Sequence, residues 1–244
     1  MKAIGIDGCK LGWVAASYDS GDVLIFKTIN DVIAHYKDDY IILIDMPSGL
    51  ASTTNKTRTC EKEARRALPA KKKSSVFPVP CREALSADSY ADANEINKKT
   101  VNCGISKQSW FIMHKIKEVD DLLIDSPNLQ AKIKESHPEI AFQFLNDGNY
   151  LINNKKSAEG IAERLTILMK HNDKTEALYN KALLGNKRKD VAKDDILDAL
   201  CLAVTLNILL LQPDNLAERL FSANQITDEH GIEMAIYHSQ GKIN

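Results

Sequence analysis

The sequence predicts a single α/β domain over residues 1–244 with a mixed sheet, three antiparallel strands followed by parallel ones, flanked by helices and interrupted by a largely helical insertion at about 46–130. Three observations predict it. Three short apolar segments open the chain at close spacing, Lys2–Asp7, Trp13–Tyr18 and Val23–Thr28, as an antiparallel meander requires. A continuous apolar run, Tyr40-Ile-Ile-Leu-Ile-Asp45, follows a short helical stretch, which marks a strand buried on both faces in a parallel sheet. Helical patterns dominate most of what comes after.

Taken in order, the first three segments are joined by a Gly-containing turn and by Asp19-Ser-Gly-Asp22. Asn30 or Asp31 can cap the next piece, a short helix through Val32, Ile33 and Tyr36. The right-handed rule for parallel crossovers then sets the Tyr40–Asp45 strand beside the first. Asp7 and Asp45 would therefore end neighbouring strands, about 4.8 Å apart, at one sheet edge. From Met46 to about Gln130 the pattern is helical apart from the run Pro69-Ala-Lys-Lys-Lys-Ser-Ser-Val-Phe-Pro-Val-Pro80. Ala131–Ser136 reads as a further strand, Pro138 as the first residue of a helix to Leu145, and Ser157 as the cap of a helix through Met169. A long helix runs from near Asp194 to Leu211, and the tail suggests a turn at Thr227–Gly231 and a closing strand over Ile232–Tyr237.

The 44% hydrophobic and 27% charged composition is that of a globular enzyme, and the net charge of -1 does not advertise a nucleic-acid binder. The charge is unevenly spread. Lys56 to Arg82 carries nine basic residues against Glu61 and Glu63, and Lys181 to Lys193 carries five against Asp190. Local clusters of this kind suit phosphate contacts, although solvated loops explain them equally well. The five cysteines, odd in number and widely spaced, fit a reduced compartment. The N-terminus has no basic-then-apolar leader and the longest apolar run, Leu200–Leu211, is short of the roughly 20 residues of a membrane span. A cytoplasmic protein without a membrane partner is expected, with a homodimer left open.

Candidate chemistry lies in separated acids. In Lys193-Asp-Asp-Ile-Leu-Asp198 the residues Asp195 and Asp198 are three apart and share a helix side. Asp194 reads as a helix cap. Asp198 leads into Ala-Leu-Cys-Leu-Ala-Val, where an unpartnered charge would be costly. If Asp7, Asp45, Asp195 and Asp198 converge, their repulsion calls for a cation. Oxygen-only ligands favour Mg²⁺ or Mn²⁺, and two such ions can activate a water and stabilise both oxygens of a phosphodiester displacement. Glu135 is a fifth candidate, as ligand or water-orienting base. His137 can assist proton transfer, or be a structural histidine of the turn, while Glu139 suits the helix dipole. Arg58 and Arg65, seven apart and so on one helix face, can fork a phosphate, with Lys71, Lys72 and Lys73 extending that surface. Pairing with Glu61 and Glu63 is the alternative.

Gly5-Ile-Asp-Gly8 with Gly12-Trp-Val-Ala-Ala16, Ile44-Asp-Met-Pro-Ser-Gly-Leu50, Arg58-Thr-Cys-Glu-Lys-Glu-Ala-Arg65, Ser74-Ser-Val-Phe-Pro78, Glu135-Ser-His-Pro-Glu139 and Asp194-Asp-Ile-Leu-Asp-Ala199 together resemble a bacterial and archaeal domain family of unknown function, usually described as a predicted nuclease of the ribonuclease-H-like fold. The opening Asp-Gly strand and the late Asp-x-x-Asp are also similar to the Holliday-junction resolvases. That likeness implies that Asp7, Asp195 and Asp198 bind catalytic metal. Asp45 stands where the resolvases have Glu, and Glu61 where the family more often has Asp.

A metal-dependent nuclease acting on structured DNA or RNA is thus the leading expectation. A non-catalytic nucleic-acid or protein-binding module on the same fold is the alternative. A phosphotransferase of the actin and sugar-kinase type also opens with an Asp-Gly turn, but it duplicates the domain, and no second Asp-x-Gly strand follows here.

Overall fold

The structure, a computed structural model, describes residues 1–37, 39–211, 220–221 and 226–239. In chain order its elements are β1 (Lys2–Gly8), β2 (Trp13–Ser17), β3 (Val23–Phe26), α1 (Ile29–His35), β4 (Tyr40–Ile44), α2 (Cys60–Ala67), α3 (Tyr90–Val101), α4 (Lys107–Asp125), β5 (Ile133–Glu135), α5 (Pro138–Leu145), α6 (Ala158–Met169), α7 (Thr175–Gly185), α8 (Lys193–Leu211), β6 (Leu220–Phe221) and β7 (Ile236–Tyr237). Short 3-10 turns occupy Lys73–Ser75, Arg82–Ser86 and Pro127–Leu129. The chain divides into two compact units: residues 1–45, 132–220 and 237–244 make the first, and 46–131 with 221–236 the second.

The first unit is built on a five-stranded sheet in the order β3-β2-β1-β4-β5, antiparallel through β1, β2 and β3 and parallel through β1, β4 and β5. The expected mixed α/β sheet is present. α8 lies across β1 and also meets β2 and β4. It is buried nearly all round, from Ile196 through Leu206 without a break, which is what a helix apolar on every face requires. The close seat depends on Gly5, where a Cβ would stand 2.1 Å from the Ala199 carbonyl oxygen and 2.3 Å from the Ala203 nitrogen. The strands are shorter than the apolar runs suggested, because β2 stops at Ser17, β3 at Phe26 and β5 covers only Ile133–Glu135.

Side-chain caps start α1, α3, α4 and α6. α1 is capped by Thr28, not by Asn30 or Asp31, and Asp31 instead returns the bond to the Thr28 backbone in a capping box. Pro138 opens α5 and the Ser157 hydroxyl accepts from the Gly160 N–H at 3.0 Å to start α6. The closing strand is limited to β7, since Ile232–Ala235 is not extended into a ladder. Tyr237 bridges Ser136 in parallel, and the Ser136 hydroxyl donates to the Tyr237 carbonyl at 2.8 Å.

The second unit is helical. Arg82 holds it together by donating to both oxygens of Asp120 at 2.9 Å, to Asp228, and to Glu229 at 3.0 Å. Asn97 is buried and joins two turns, accepting from the Cys81 N–H at 2.6 Å and donating to the Cys103 carbonyl at 2.7 Å. All five cysteines are free thiols. Among the described residues no helix is long and apolar enough to cross a membrane.

Candidate functional site

Parallel pairing decides which acids meet. Ile6 is level with Ile44, and the Asp45 N–H continues the ladder to the Ile6 carbonyl at 2.9 Å, so Asp7 and Asp45 emerge side by side at the C-terminal ends of β1 and β4. Side chains alternate along a strand, so both acids lie on the face of Gly5, against which α8 packs. Asp7 is only 8% exposed, and its carboxylate accepts from the Gly8 N–H at 2.7 Å. Asp45 lies within hydrogen-bonding reach of it.

On that same face α8 brings three more carboxylates. Asp198 is 2% exposed and Asp194 is also buried. The assumption that Asp194 caps the helix does not hold. Asp195 serves the helix start, accepting from the Ala192 N–H at 2.9 Å, whereas Asp194 faces the ammonium of Lys155 at 3.4 Å. That ammonium also donates to Asp198 at 2.9 Å.

The four acids singled out in the sequence share one electrostatic field. Burial pushes the Asp7 carboxyl well above the usual carboxylate range, and Asp45, Asp198 and Asp195 each push it further. Burial also raises Asp45, with His137 and Lys155 opposing, and raises Asp195. Asp198 is pushed up by burial to about 6, against the pull of Lys155. The Lys155 ammonium is held charged despite its own burial by Asp198, Asp7 and Asp194. These shifts express an excess of buried negative charge that one lysine only partly offsets.

A divalent cation suits this set in donor chemistry and charge, because every candidate ligand is a carboxylate oxygen and added positive charge would relieve the repulsion. The arrangement is not closed on one point: among the described residues no group of three or more His, Cys, Asp or Glu side chains is placed to hold an ion. Among the described residues, Lys155 is the cation paired with Asp194 and Asp198.

The other sequence candidates fall elsewhere. Glu135 is buried, but it is level with Ile44, one position out of phase with Asp45. It therefore points to the other face of the sheet, and the residue level with Asp45 is Ser136. His137 acts on Asp45 from the turn before α5. Glu139 does more than favour the helix dipole, since it pairs at 2.7 Å with Arg164, a fully buried guanidinium on α6.

In the second unit Arg58 precedes α2, so it does not share a helix face with Arg65. Its guanidinium is spent on Glu61 and on the carbonyls of Ser48 and Gly49. Arg65 donates through Nε to the Val76 carbonyl at 2.6 Å. Lys71 and Lys73 are exposed and Lys72 half-buried, around the turn at Lys73–Ser75. Sequence reasoning missed Lys155 and Arg164. Lys155 sits in the polar run Asn153-Asn-Lys-Lys156, which has no periodicity to mark it. The one available signal was the need of a buried Asp198 for a partner.

A family model described as "Protein of unknown function (DUF429)" matches residues 5–210. Nothing among curated proteins or solved structures matches the chain.

Proposed function

The chain belongs to the DUF429 family of proteins of unknown function, and we propose that it is a metal-dependent nuclease of the ribonuclease-H-like type, hydrolysing phosphodiesters in structured DNA or RNA. One observation carries the reading. Asp7 and Asp45 from adjacent strand ends and Asp195 and Asp198 from α8, distant in sequence, lie close enough for Asp7 to feel all three. Structural acids are seldom gathered in this way without a cationic ligand, since each addition raises the cost of the rest.

Asp7, Asp45, Asp195 and Asp198 would hold Mg²⁺ or Mn²⁺, two ions in the proposed mechanism, which supply an activated water and charge stabilisation for the departing oxygen. Among the chain's own groups, Asp7 and Asp45 are fixed by the β1–β4 ladder and Asp198 by its place on the buried α8. His137, in the turn before α5, is the imidazole that acts on Asp45 and would be the group to assist proton transfer. Lys155 neutralises Asp194 and Asp198, and would have to yield Asp198 for that carboxylate to hold a metal ion.

Purified protein with Mn²⁺ is expected to cut at least one of a panel of branched, hybrid and single-stranded substrates. Chelation by EDTA and the Asp7→Asn substitution should each reduce cutting by a factor of 100 or more, on the order of 3 kcal/mol of transition-state stabilisation. No cleavage across the panel by protein with demonstrated Mn²⁺ binding would overturn the proposal. A non-catalytic nucleic-acid or protein-binding module is the second reading, favoured by the Lys155 pairs that already satisfy Asp194 and Asp198. Equal nucleic-acid affinity with and without metal, and no cutting, would select it.

A further inference from the structure

The second unit contains a cavity of about 190 Å³ whose charge is almost all of one sign. Lys56, Arg58, Lys62 and Arg65 line it against the single carboxylate of Glu61, while alanine, proline and valine side chains supply apolar wall. Arg58 and Glu61 neutralise each other, and both are nearly buried, with side chains 4% and 9% exposed. They form a fixed floor. Lys56, Lys62 and Arg65 are left with no ion pair among the described residues, a surplus of three positive charges around one small space.

Arg65 is the built part of this cavity. It is half-buried on α2, and its Nε is anchored to the Val76 carbonyl at 2.6 Å. The guanidinium plane is thereby oriented before any ligand arrives, with both terminal nitrogens making no hydrogen bond among the described residues. Lys62 lies three positions earlier on α2 and so on the same helix side. An oriented fork flanked by two ammonium groups suits a phosphate, whose non-bridging oxygens can each accept from a separate donor. The volume is below the roughly 300–1,000 Å³ of a site for a whole drug-sized ligand. It has room for a phosphate with its attached sugar against the apolar wall.

We propose that this cavity binds a phosphate group, that of a nucleic-acid strand or of a small phosphate compound, with Arg65 and Lys62 as its principal contacts. The site goes beyond the carboxylate cluster and needs no divalent metal.

Cys103 reports on it directly. It lines the cavity and is the one exposed cysteine of the five, the other four being buried. The full-length protein in EDTA would be labelled with iodoacetamide, a neutral reagent. Additions would be inorganic phosphate, a 5′-phosphorylated oligonucleotide, the same oligonucleotide with a 5′-hydroxyl, or potassium chloride at matched ionic strength. Labelling of Cys103 is expected to slow at least five-fold with a phosphate-bearing ligand, and Arg65→Gln and Lys62→Ala should each remove the protection. Slowing by the phosphorylated strand alone assigns a strand end, equal slowing by both strands assigns the phosphodiester backbone, and slowing by inorganic phosphate alone assigns a small compound. No protection, protection equalled by potassium chloride, or protection that survives Arg65→Gln overturns the proposal. Without divalent metal present, none of these results bears on cleavage, so this inference and the nuclease reading fail separately.

Discussion

Asp198 shows how a residue's surroundings become a measurable. Burial, opposed by Lys155, raises its carboxyl to about 6, so the folded protein keeps a proton that the unfolded chain has already released. From about pH 4 to pH 6 ionisation costs the folded state more than the unfolded one, and the stability contributed by this group is greatest below that window and falls as pH rises through it. The full change is about 3 kcal/mol. Urea unfolding in EDTA should therefore show Asp198→Asn gaining on the native sequence between pH 4 and pH 7, and a difference independent of pH would refute the assignment. Lys155 makes a second case. Its side chain is 38% exposed, so the loss in Lys155→Met is discounted for solvent to about 2 kcal/mol without metal. The same substitution removes the ammonium that competes for Asp194 and Asp198, and calorimetry should then find Mn²⁺ bound about ten-fold more tightly. Equal affinity would mean that the lysine and the metal do not share a place.

Among the elements, β1 and α8 form the contact on which the acid cluster depends. Gly5→Ala would set a methyl group against the α8 backbone at Ala199 and Ala203. Backbone cannot rotate out of the way as a side chain can, so the cost should reach or exceed the roughly 1–3 kcal/mol usual for overpacking. Thermal unfolding should show a Tm lowered by about 5 °C or more, and an unchanged Tm would mean that α8 does not sit on Gly5. This pairing was legible in the sequence, because continuous apolar runs mark β1, β4 and α8 as buried and the crossover rule sets β4 beside β1. Phase was less legible. Glu135 was singled out because it ends a strand, but β5 is three residues long and its register with Ile44, set by the sheet, turns Glu135 away from Asp45. Cap roles were misjudged for a related reason: Asp194 and Asp195 are chemically alike, and only the position of Lys155 on a loop without periodicity separates them. Arg58 reads as free for a ligand in the sequence because its backbone and carboxylate partners are fixed by the path of residues 48–61, which no local pattern encodes.

At the scale of the whole molecule, both units are assembled from pieces far apart in the chain, joined in the first unit by backbone ladders and in the second by buried side-chain pairs. In the second unit Arg82 reaches Asp120, 38 positions away, and Asp228, 146 positions away. Both carboxylates are buried, and Asp228 also accepts from the backbone N–H groups of Leu50, His230 and Ile232 at 2.8–3.1 Å. Arg82 is the counter-charge of a knot that fastens residues 226–236 onto the helices of that unit. Removing one partner of such a pair leaves the other buried and uncompensated, which usually costs about 3–5 kcal/mol. Arg82→Ala should lie at the lower end, since Asp228 keeps its backbone donors, and hydrogen exchange should show protection lost first at the amides of Leu50 and Ile232. Arg82→Lys should recover only part of it, because an ammonium cannot span Asp120 through two donors and still meet Asp228. Exchange that rises uniformly over both units in Arg82→Ala would instead make Arg82 one ordinary contact among many. Loss confined to the second unit, with Mn²⁺ binding by the acid cluster of the first unit unchanged, would show that each discontinuous unit keeps its own internal fastening.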